Sequence, residues 1–186
     1  LEQLTALRSY QKQLRKQLPG RDEMVMMNTW GDRSQDTKVN ERFCLEEVRR
    51  AARLGITHFQ IDDGWQREST FSSDWTANEN TFGGGIQKLS QKLNSTGQRL
   101  GLWLAPTLMV NTSSFFKQHY DYNIFYGDTI KRAFGGNQVL ASEGDGSVYP
   151  LDLEKTEVLK HIAHAFENAV ENFNCRYFKI DFLVRS

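Results

Sequence analysis

The chain has 186 residues, and its 23 lysines and arginines balance 23 aspartates and glutamates, so its formal net charge is zero. This length suits one domain or part of a larger one, and a hydrophobic share of 39% with 12% aromatic residues excludes a disordered chain. The balanced charge disfavours a protein that binds nucleic acid through its phosphates. No apolar run approaches the roughly 20 residues that cross a bilayer. We therefore expect neither a nucleic-acid partner nor a membrane partner.

The cysteines and histidines indicate no metal or disulfide framework. Cys44 and Cys175 are too few for such a framework, and the four histidines show no metal-ligand spacing. The chain begins with Leu1 and a charged, glutamine-rich segment that does not resemble a secretory signal. We therefore expect a cytoplasmic protein, or a piece cut from a longer one.

The first half of the chain alternates amphipathic helices with short apolar runs. A helix over Leu1–Leu18 precedes Pro19, and a strand over Met24–Trp30 follows it. Asn40 is a candidate N-cap for a helix over Glu41–Leu54, which Gly55 ends. The next strand is predicted over Ile56–Ile61.

The second half continues this alternation. A helix starts near Ile86 and ends at Gly97, and a strand covers Leu100–Leu104. The long, aromatic-rich segment Asn111–Tyr149 is predicted to hold a loop and a short helix. A continuous apolar stripe then predicts a helix over Glu157–Phe173, followed by a fourth strand over Tyr177–Leu183.

This order of elements predicts an α/β fold. Short apolar strands that alternate with amphipathic helices are typical of a parallel sheet covered by helices. A complete (β/α)8 barrel takes at least about 200 residues and usually about 250. We therefore expect four parallel (β/α) units, which form half of a TIM (β/α)8 barrel or a small open sheet. Residues 1–20 would lead into it, and residues 21–186 would form the half-barrel.

Polar residues gather at the C-terminal ends of the predicted strands, the edge where ligands bind in parallel α/β proteins. They are Asn28, Trp30, Asp32, Asp62, Asp63, Trp65, Trp103, Lys179 and Asp181. The joint occurrence of carboxylates and tryptophans is typical of a site that binds sugar hydroxyls and stacks sugar rings.

Lys179 and Asp181 lie two residues apart on one strand, so their side chains leave the same face. The ammonium favours the ionised form of the carboxylate. An ionised, oriented carboxylate is what a covalent glycosidase nucleophile requires. The alternative is a structural ion pair inside the barrel.

Asp62-Asp63-Gly64-Trp65 forms the second concentration of polar residues. Adjacent acids at a strand end point in different directions, so one can face a pocket while the other caps the following loop. Trp65 offers a flat face for a sugar ring. The alternative is a simple Asp-Asp-Gly turn with Trp65 in the core.

Five motifs resemble glycoside hydrolase family 36 in order and approximate spacing. These are residues 27–32 (Met-Asn-Thr-Trp-Gly-Asp), 61–65 (Ile-Asp-Asp-Gly-Trp), 100–106 (Leu-Gly-Leu-Trp-Leu-Ala-Pro), 151–153 (Leu-Asp-Leu) and 179–181 (Lys-Ile-Asp). The family comprises retaining α-galactosidases and α-N-acetylgalactosaminidases with a (β/α)8 catalytic barrel.

The resemblance implies functions for these residues. Asp181 corresponds to the nucleophile, which forms a covalent galactosyl ester, and Lys179 to its partner. Asp62 and Asp63 correspond to acids that bind galactose hydroxyls, and Trp65 and Trp30 would wall the pocket. The expected partners are galactose-containing oligosaccharides, and no cofactor is implied.

The chain also departs from the family pattern. Many members carry two glutamates where this chain has Ala105 and Thr107, and many continue differently after the nucleophile than this chain does with Phe182. The family's general acid/base is an aspartate on a later strand, whereas this chain ends five residues after Asp181. We therefore expect half of an active site, which is inactive or weakly active alone.

Two other functions are compatible with the same residues. A half-barrel with open sheet edges should self-associate, so the chain can be a carbohydrate-binding or self-assembling module, and we expect a homo-oligomer. A lysine inside a barrel, here Lys179, can also serve as the Schiff-base lysine of an aldolase-type enzyme.

Overall fold

A computed structural model describes residues 2–14, 18–19, 22–31, 38–68, 70–126, 129–131, 138–139 and 146–183. The helices are α1 (Glu2–Leu14), α2 (Glu41–Arg53), α3 (Gly85–Ser95), α4 (Ser114–Gln118) and α5 (Thr156–Glu171). The strands are β1 (Met26–Asn28), β2 (His58–Ile61), β3 (Arg99–Leu104), β4 (Leu108–Val110), β5 (Phe125–Tyr126), β6 (Thr129–Lys131), β7 (Gln138–Val139), β8 (Val148–Pro150) and β9 (Cys175–Ile180). Asp32, predicted at a strand end, lies outside the described residues.

Four strands form one parallel sheet in the order β1-β2-β3-β9, which confirms the α/β prediction. Each strand that follows a helical crossover pairs beside the previous strand, as consecutive strands of a (β/α)8 barrel do. The pairing aligns Met26 with His58 and Phe59 with Leu100, and it places Gly101 beside Tyr177. The sheet therefore corresponds to half of a TIM barrel.

One face of the sheet packs on the helices. Phe59, Ile61, Leu100 and Leu102 are fully buried in a core shared with α2 and α3. This arrangement follows from the alternation of side chains along a strand, because residues two apart share a face. Every second residue of β2 is therefore apolar and packed, and the intervening residues point to the opposite face.

On the opposite face, polar side chains of neighbouring strands lie close together around Gly101. A Cβ atom at Gly101 would lie 3.1 Å from the Tyr177 ring and 3.3 Å from the Gln60 side chain, so these two side chains close over the glycine. A larger residue at position 101 would push them apart. Gly101 thus lets polar side chains from neighbouring strands approach one another across β3.

Helix boundaries follow the capping residues expected from the sequence. The Asn40 side chain accepts a hydrogen bond from the Phe43 amide at 3.0 Å and starts α2. Gly55, which has φ +73°, follows the helix end, in the backbone region that favours glycine. The described part of α1 reaches Leu14 and buries none of its residues, and residues 15–17, which the predicted helix also includes, lie outside the described residues.

The segment between β3 and α5 has a core of its own. Strand β4 pairs antiparallel with β8, aligning Leu108 with Pro150, and a separate cluster of buried side chains lies beside this pair. The cluster contains Met109, Phe116, Ile130, Tyr149, Leu151 and Val158. The predicted short helix is present as α4. Short antiparallel strands also occur in this segment, where the sequence predicted a loop. A strand of three residues is too short to show a periodicity.

The described residues contain no helix with the length and apolar composition that a bilayer crossing requires. They also contain no group of three potential metal ligands. Both cysteines are buried and free, and burial raises the pKa of the Cys44 thiol to about 12 and that of Cys175 to about 11.

Candidate active site

A cleft of about 390 Å³ opens at the C-terminal ends of the parallel strands. It brings together five of the six predicted site residues: Trp30, Asp62, Asp63, Lys179 and Asp181. The other lining residues are Thr70, Phe71, Trp103 and Phe182. The cleft therefore lies at the sheet edge where the sequence placed it, and the tandem acids and Asp181 share it.

Asp62 is the fixed anion of the cleft. It is 1% exposed, and its Oδ2 accepts hydrogen bonds from Asn28 Nδ2 at 2.8 Å and Lys179 Nζ at 2.9 Å. Its Oδ1 accepts from the Asp63 amide at 3.0 Å. Both oxygens thus accept hydrogen bonds from donors of the described residues. A buried charge with this many partners is held in one position.

Asp63 turns away from Asp62 and organises the loop after β2. Its Oδ1 accepts from the Gly64 amide at 2.9 Å and from the Gln66 side chain, and its Oδ2 accepts from Thr70 Oγ1 at 2.8 Å. The predicted division between the adjacent acids is therefore observed, because Asp62 accepts from Asn28 and Lys179 at the strand ends and Asp63 caps the loop. Asp63 still borders the cleft, but its oxygens are engaged by the loop.

Lys179 bridges two carboxylates. Its Nζ lies 2.9 Å from Asp62 Oδ2 and 3.9 Å from Asp181 Oδ2, and it stands 6.0 Å from the ring centre of Trp30. The sequence predicted Asp181 as the partner of this ammonium, whereas the shorter contact is with Asp62. The two partners also differ in burial, because the Asp62 side chain is 2% exposed while the Asp181 side chain is 40% exposed to water.

Asp181 sits directly after β9 and is oriented by two N–H donors. Trp103 Nε1 donates to Oδ2 at 3.2 Å, and the Phe182 amide donates to Oδ1 at 2.9 Å. The Asp181 amide donates to Leu104 O at 2.9 Å, which continues the strand pairing to the edge of the cleft. This carboxylate is thus oriented, next to a cation and open to the cleft, as a nucleophile must be.

Trp65 does not line the cleft, and the prediction that it walls the pocket is wrong. It is 0% exposed, donates from Nε1 to Trp103 O at 2.9 Å, and packs edge-on against Phe173. Gly64 has φ +104° and redirects the chain, so the following side chain points into the core rather than along the strand direction. The alternative, a turn followed by a core tryptophan, describes Trp65 correctly.

Trp30, unlike Trp65, is exposed to solvent. It is 45% exposed, and its amide donates to Asn28 Oδ1 at 2.7 Å. The same asparagine donates to Asp62, so Asn28 links the tryptophan to the buried acid. An exposed indole beside an ammonium and carboxylates is a surface on which a sugar ring can stack.

The cleft also contains side chains that sequence analysis missed. Phe71 comes from the loop after β2, and its ring meets that of Phe182 edge-on at 5.3 Å. This loop is tied to α4, because the Glu68 carboxylate accepts from Ser114 Oγ at 2.6 Å and from its amide at 2.9 Å. These hydrogen bonds lower the pKa of Glu68. No periodic signal marks an irregular loop, so neither contact was predictable.

Comparison with known proteins relates the chain to α-galactosidases. The model of the melibiase family matches residues 4–184. The α-galactosidase AgaA of Geobacillus stearothermophilus is 27% identical over 165 residues, which cover 87% of this chain and 21% of the relative. The α-galactosidase Mel36A of Lactobacillus acidophilus is 29% identical over 163 residues, covering 86% and 20% of the two chains.

The fold of this chain also matches a solved α-galactosidase structure. TtGalA, an α-galactosidase from Thermus thermophilus in complex with p-nitrophenyl α-D-galactopyranoside, matches with a TM-score of 0.73 and 29% identity. The match covers 94% of this chain and 33% of that protein. The chain therefore spans about a fifth to a third of the proteins that it resembles.

Proposed function

The chain belongs to the melibiase family, glycoside hydrolase family 36, and we propose that it forms the part of an α-galactosidase site that holds galactose and supplies the nucleophile. The observation that carries this proposal is the Lys179 ammonium placed between Asp62 and Asp181. One cation thereby links the acid that would bind the sugar to the acid that would attack it.

Binding would use the polar and aromatic sides of the cleft together. Asp62 and Lys179 present a carboxylate and an ammonium for sugar hydroxyls, and Trp30 presents an exposed ring. The TtGalA relative has been solved with stachyose as well as with an aryl galactoside. We accordingly expect terminal α-galactosides of oligosaccharides as ligands of this chain.

The chemical step would start at Asp181. An oxygen of its carboxylate supplies the electron pair for a new bond to the anomeric carbon, while the bond from that carbon to the leaving oxygen breaks. The leaving oxygen takes the bonding pair and needs a proton from a second carboxyl group. Water would then hydrolyse the galactosyl ester, and two inversions would retain the anomeric configuration.

The acids of the described cleft do not suit the proton-donating step. Asp62 accepts from Asn28, Lys179 and the Asp63 amide, and Asp63 accepts from its own loop, so the carboxyl oxygens of both residues are already engaged as acceptors. A general acid must instead hold a proton. With the described cleft residues only, we therefore expect reaction with galactosides whose leaving group departs without protonation.

The test uses a mechanism-based galactosyl label with such a leaving group, followed by intact-mass and peptide analysis. The label should form an ester on Asp181 and should be absent in Asp181→Asn. Asp121→Asn, which changes an exposed acid outside the cleft, serves as the matched control and should label normally. Labelling that persists in Asp181→Asn would refute the proposal.

A non-catalytic carbohydrate-binding module is the second function that the cleft allows. Galactose binding to the wild-type chain without any ester on Asp181 would favour it over the nucleophile assignment. The Schiff-base alternative is disfavoured, because the Lys179 Nζ that would attack a carbonyl is already engaged by the buried Asp62 carboxylate at 2.9 Å. A homo-oligomer and a cytoplasmic location stay predictions, which light scattering and cell fractionation would test.

A further inference from the structure

Phe182, the residue after the proposed nucleophile, has an unfavourable backbone conformation. Its φ is +51°, a left-handed value that side chains with a Cβ atom rarely adopt. Such a conformation persists only where surrounding contacts enforce it, and these conformations are common at functional sites.

The Phe182 backbone supplies a hydrogen-bond donor to the Asp181 carboxylate. The Phe182 amide donates to Asp181 Oδ1 at 2.9 Å, while Trp103 Nε1 donates to Oδ2 at 3.2 Å. One donor on each oxygen fixes the plane of the carboxylate. The Phe182 carbonyl and ring, which lie beyond the N–Cα bond, are held by Thr107, Phe71 and Trp103. With those atoms fixed, a change of φ to an ordinary value would turn the preceding peptide and move its N–H away from Asp181 Oδ1.

The other end of the same residue is held by Thr107. Thr107 Oγ1 donates to the Phe182 carbonyl at 3.2 Å, and Thr107 is only 8% exposed, in the turn between β3 and β4. The Phe182 ring adds edge-on contacts with Phe71 at 5.3 Å and Trp103 at 6.4 Å. The hydroxyl is the contact that acts on the backbone itself, so it bears most directly on the orientation of the peptide.

We propose that Thr107 is a positioning residue for the nucleophile, an inference that rests on the proposed function. Its hydroxyl holds the carbonyl of Phe182, the held residue keeps its left-handed conformation, and the amide keeps Asp181 Oδ1 in place. Thr107 touches neither oxygen of Asp181. It therefore acts on the rate of attack, which depends steeply on the alignment of the reacting atoms, and not on the affinity for the sugar.

The first experiment replaces the hydroxyl at nearly constant shape. Thr107→Val should slow ester formation on Asp181 by about tenfold, because misalignment of a nucleophile costs one to two orders of magnitude. Galactose affinity, measured by calorimetry, should stay within about twofold of wild type. Thr107→Ser keeps the hydroxyl and should restore most of the labelling rate. An unchanged rate in Thr107→Val would overturn the inference.

The second experiment addresses the backbone and does not depend on the folding of Thr107→Val. Phe182→Ala and Phe182→Gly both remove the ring, but only glycine adopts positive φ without strain. Phe182→Gly should label faster than Phe182→Ala, and adding Thr107→Val should slow the alanine variant more than the glycine variant. Equal rates in the two single variants would show that the left-handed conformation is irrelevant to attack and would overturn the inference.

These outcomes are distinguishable from failure of the proposed function. If wild type and Asp121→Asn never acquire the label, the nucleophile assignment itself fails. If both are labelled on Asp181 while the Thr107 and Phe182 variants follow wild-type rates, only the positioning inference fails.

Discussion

Two regions of the molecule are stabilised by different interactions. One is the cleft end of the parallel sheet, and the other is the segment between β3 and α5. At the cleft, Lys179, Asp62 and Asp181 form a charged chain across strand ends. In the described part of the β3–α5 segment, residues 105–155, aromatic rings and hydrogen-bonded caps provide the contacts, and Phe115 of this segment stacks on His161 of α5 at 4.3 Å. The first region places reactive groups, and the second supports the loops that border them.

This difference determines how substitutions in the two regions should affect stability and ligand binding. Charges in the cleft are expensive to bury, so they persist where each has a partner, and removing one partner leaves the other uncompensated. Contacts in the β3–α5 segment are individually weaker and more replaceable. Substitutions in the two regions should therefore differ in size and in whether they change ligand binding.

The largest difference in stability is expected between substitutions of Trp65, which is buried in the core, and Trp30, which is exposed beside the cleft. Trp65→Ala empties a fully buried position and should lower the free energy of unfolding by about 3–5 kcal/mol. Trp30→Ala, at a 45% exposed position, should cost about 0.5 kcal/mol or less and should instead weaken galactose binding. Urea unfolding and calorimetry check the pair. A stable Trp65→Ala that loses sugar binding would reverse the assignment of both residues.

Breaking the charged chain should have the next largest effect. Lys179→Met leaves Asp62 buried without its cation and should cost about 2 kcal/mol of stability, below the usual range for a buried pair because the lysine side chain is 35% exposed. Asp62→Asn removes the other charge. Combined with Lys179→Met, it should cost less than the sum of the single variants, as urea unfolding of the four proteins would show. Additive losses would mean that the two groups are not energetically coupled.

The sequence predicted the parts of the cleft that follow from strand periodicity. Side chains two apart on a strand share a face, which placed Lys179 and Asp181 together. The order of five short motifs then indicated the family and the half-barrel. The capping residue Asn40 likewise predicted the start of α2, because its mechanism is local.

The remaining features depend on information that is not local. Trp65 follows a glycine with positive φ, so its direction cannot be deduced from strand alternation. The pairing of β4 with β8 joins segments about 40 residues apart, each three residues long. The donors to Asp181 come from an indole on β3 and from a backbone angle at Phe182, and neither is encoded in a residue pattern.

A smaller effect is expected in the β3–α5 segment, from the cap of α4. Ser113 Oγ accepts from the Phe116 amide at 3.1 Å and donates to Val110 O at 2.9 Å. Ser113→Ala should lower the free energy of unfolding by about 1 kcal/mol, the usual value of an N-cap, without changing galactose affinity. Ser95→Ala, which alters an exposed serine at the end of α3, is the control and should be nearly neutral. A loss of galactose binding in Ser113→Ala would show that the two regions are coupled.

The smallest effect concerns the pH dependence of the contact between the β3–α5 segment and His161 of α5. Burial lowers the pKa of His161 below its ordinary value, and His119 and His164 lower it further, while its hydrogen bond to Ser73 O opposes the shift. The unfolded chain therefore binds a proton at this residue more readily than the folded chain does. Its contribution to stability is complete above the ordinary pKa of about 6.5 and declines as the pH falls below that value.

Lowering the pH from about 7.5 to 5.5 should consequently reduce the unfolding free energy of the wild type more than that of His161→Gln, which keeps a donor for Ser73 but does not titrate. The difference should be smaller than the loss caused by Ser113→Ala. His164→Gln removes an exposed imidazole from the same helix, and because His164 is only a minor cause of the lowered pKa of His161, this variant should keep most of the wild-type pH dependence. Urea unfolding at both pH values measures all three proteins. If wild type and His161→Gln lost equal stability, the stacked histidine would not be held in its neutral form, and the packing assigned to this segment would need another explanation.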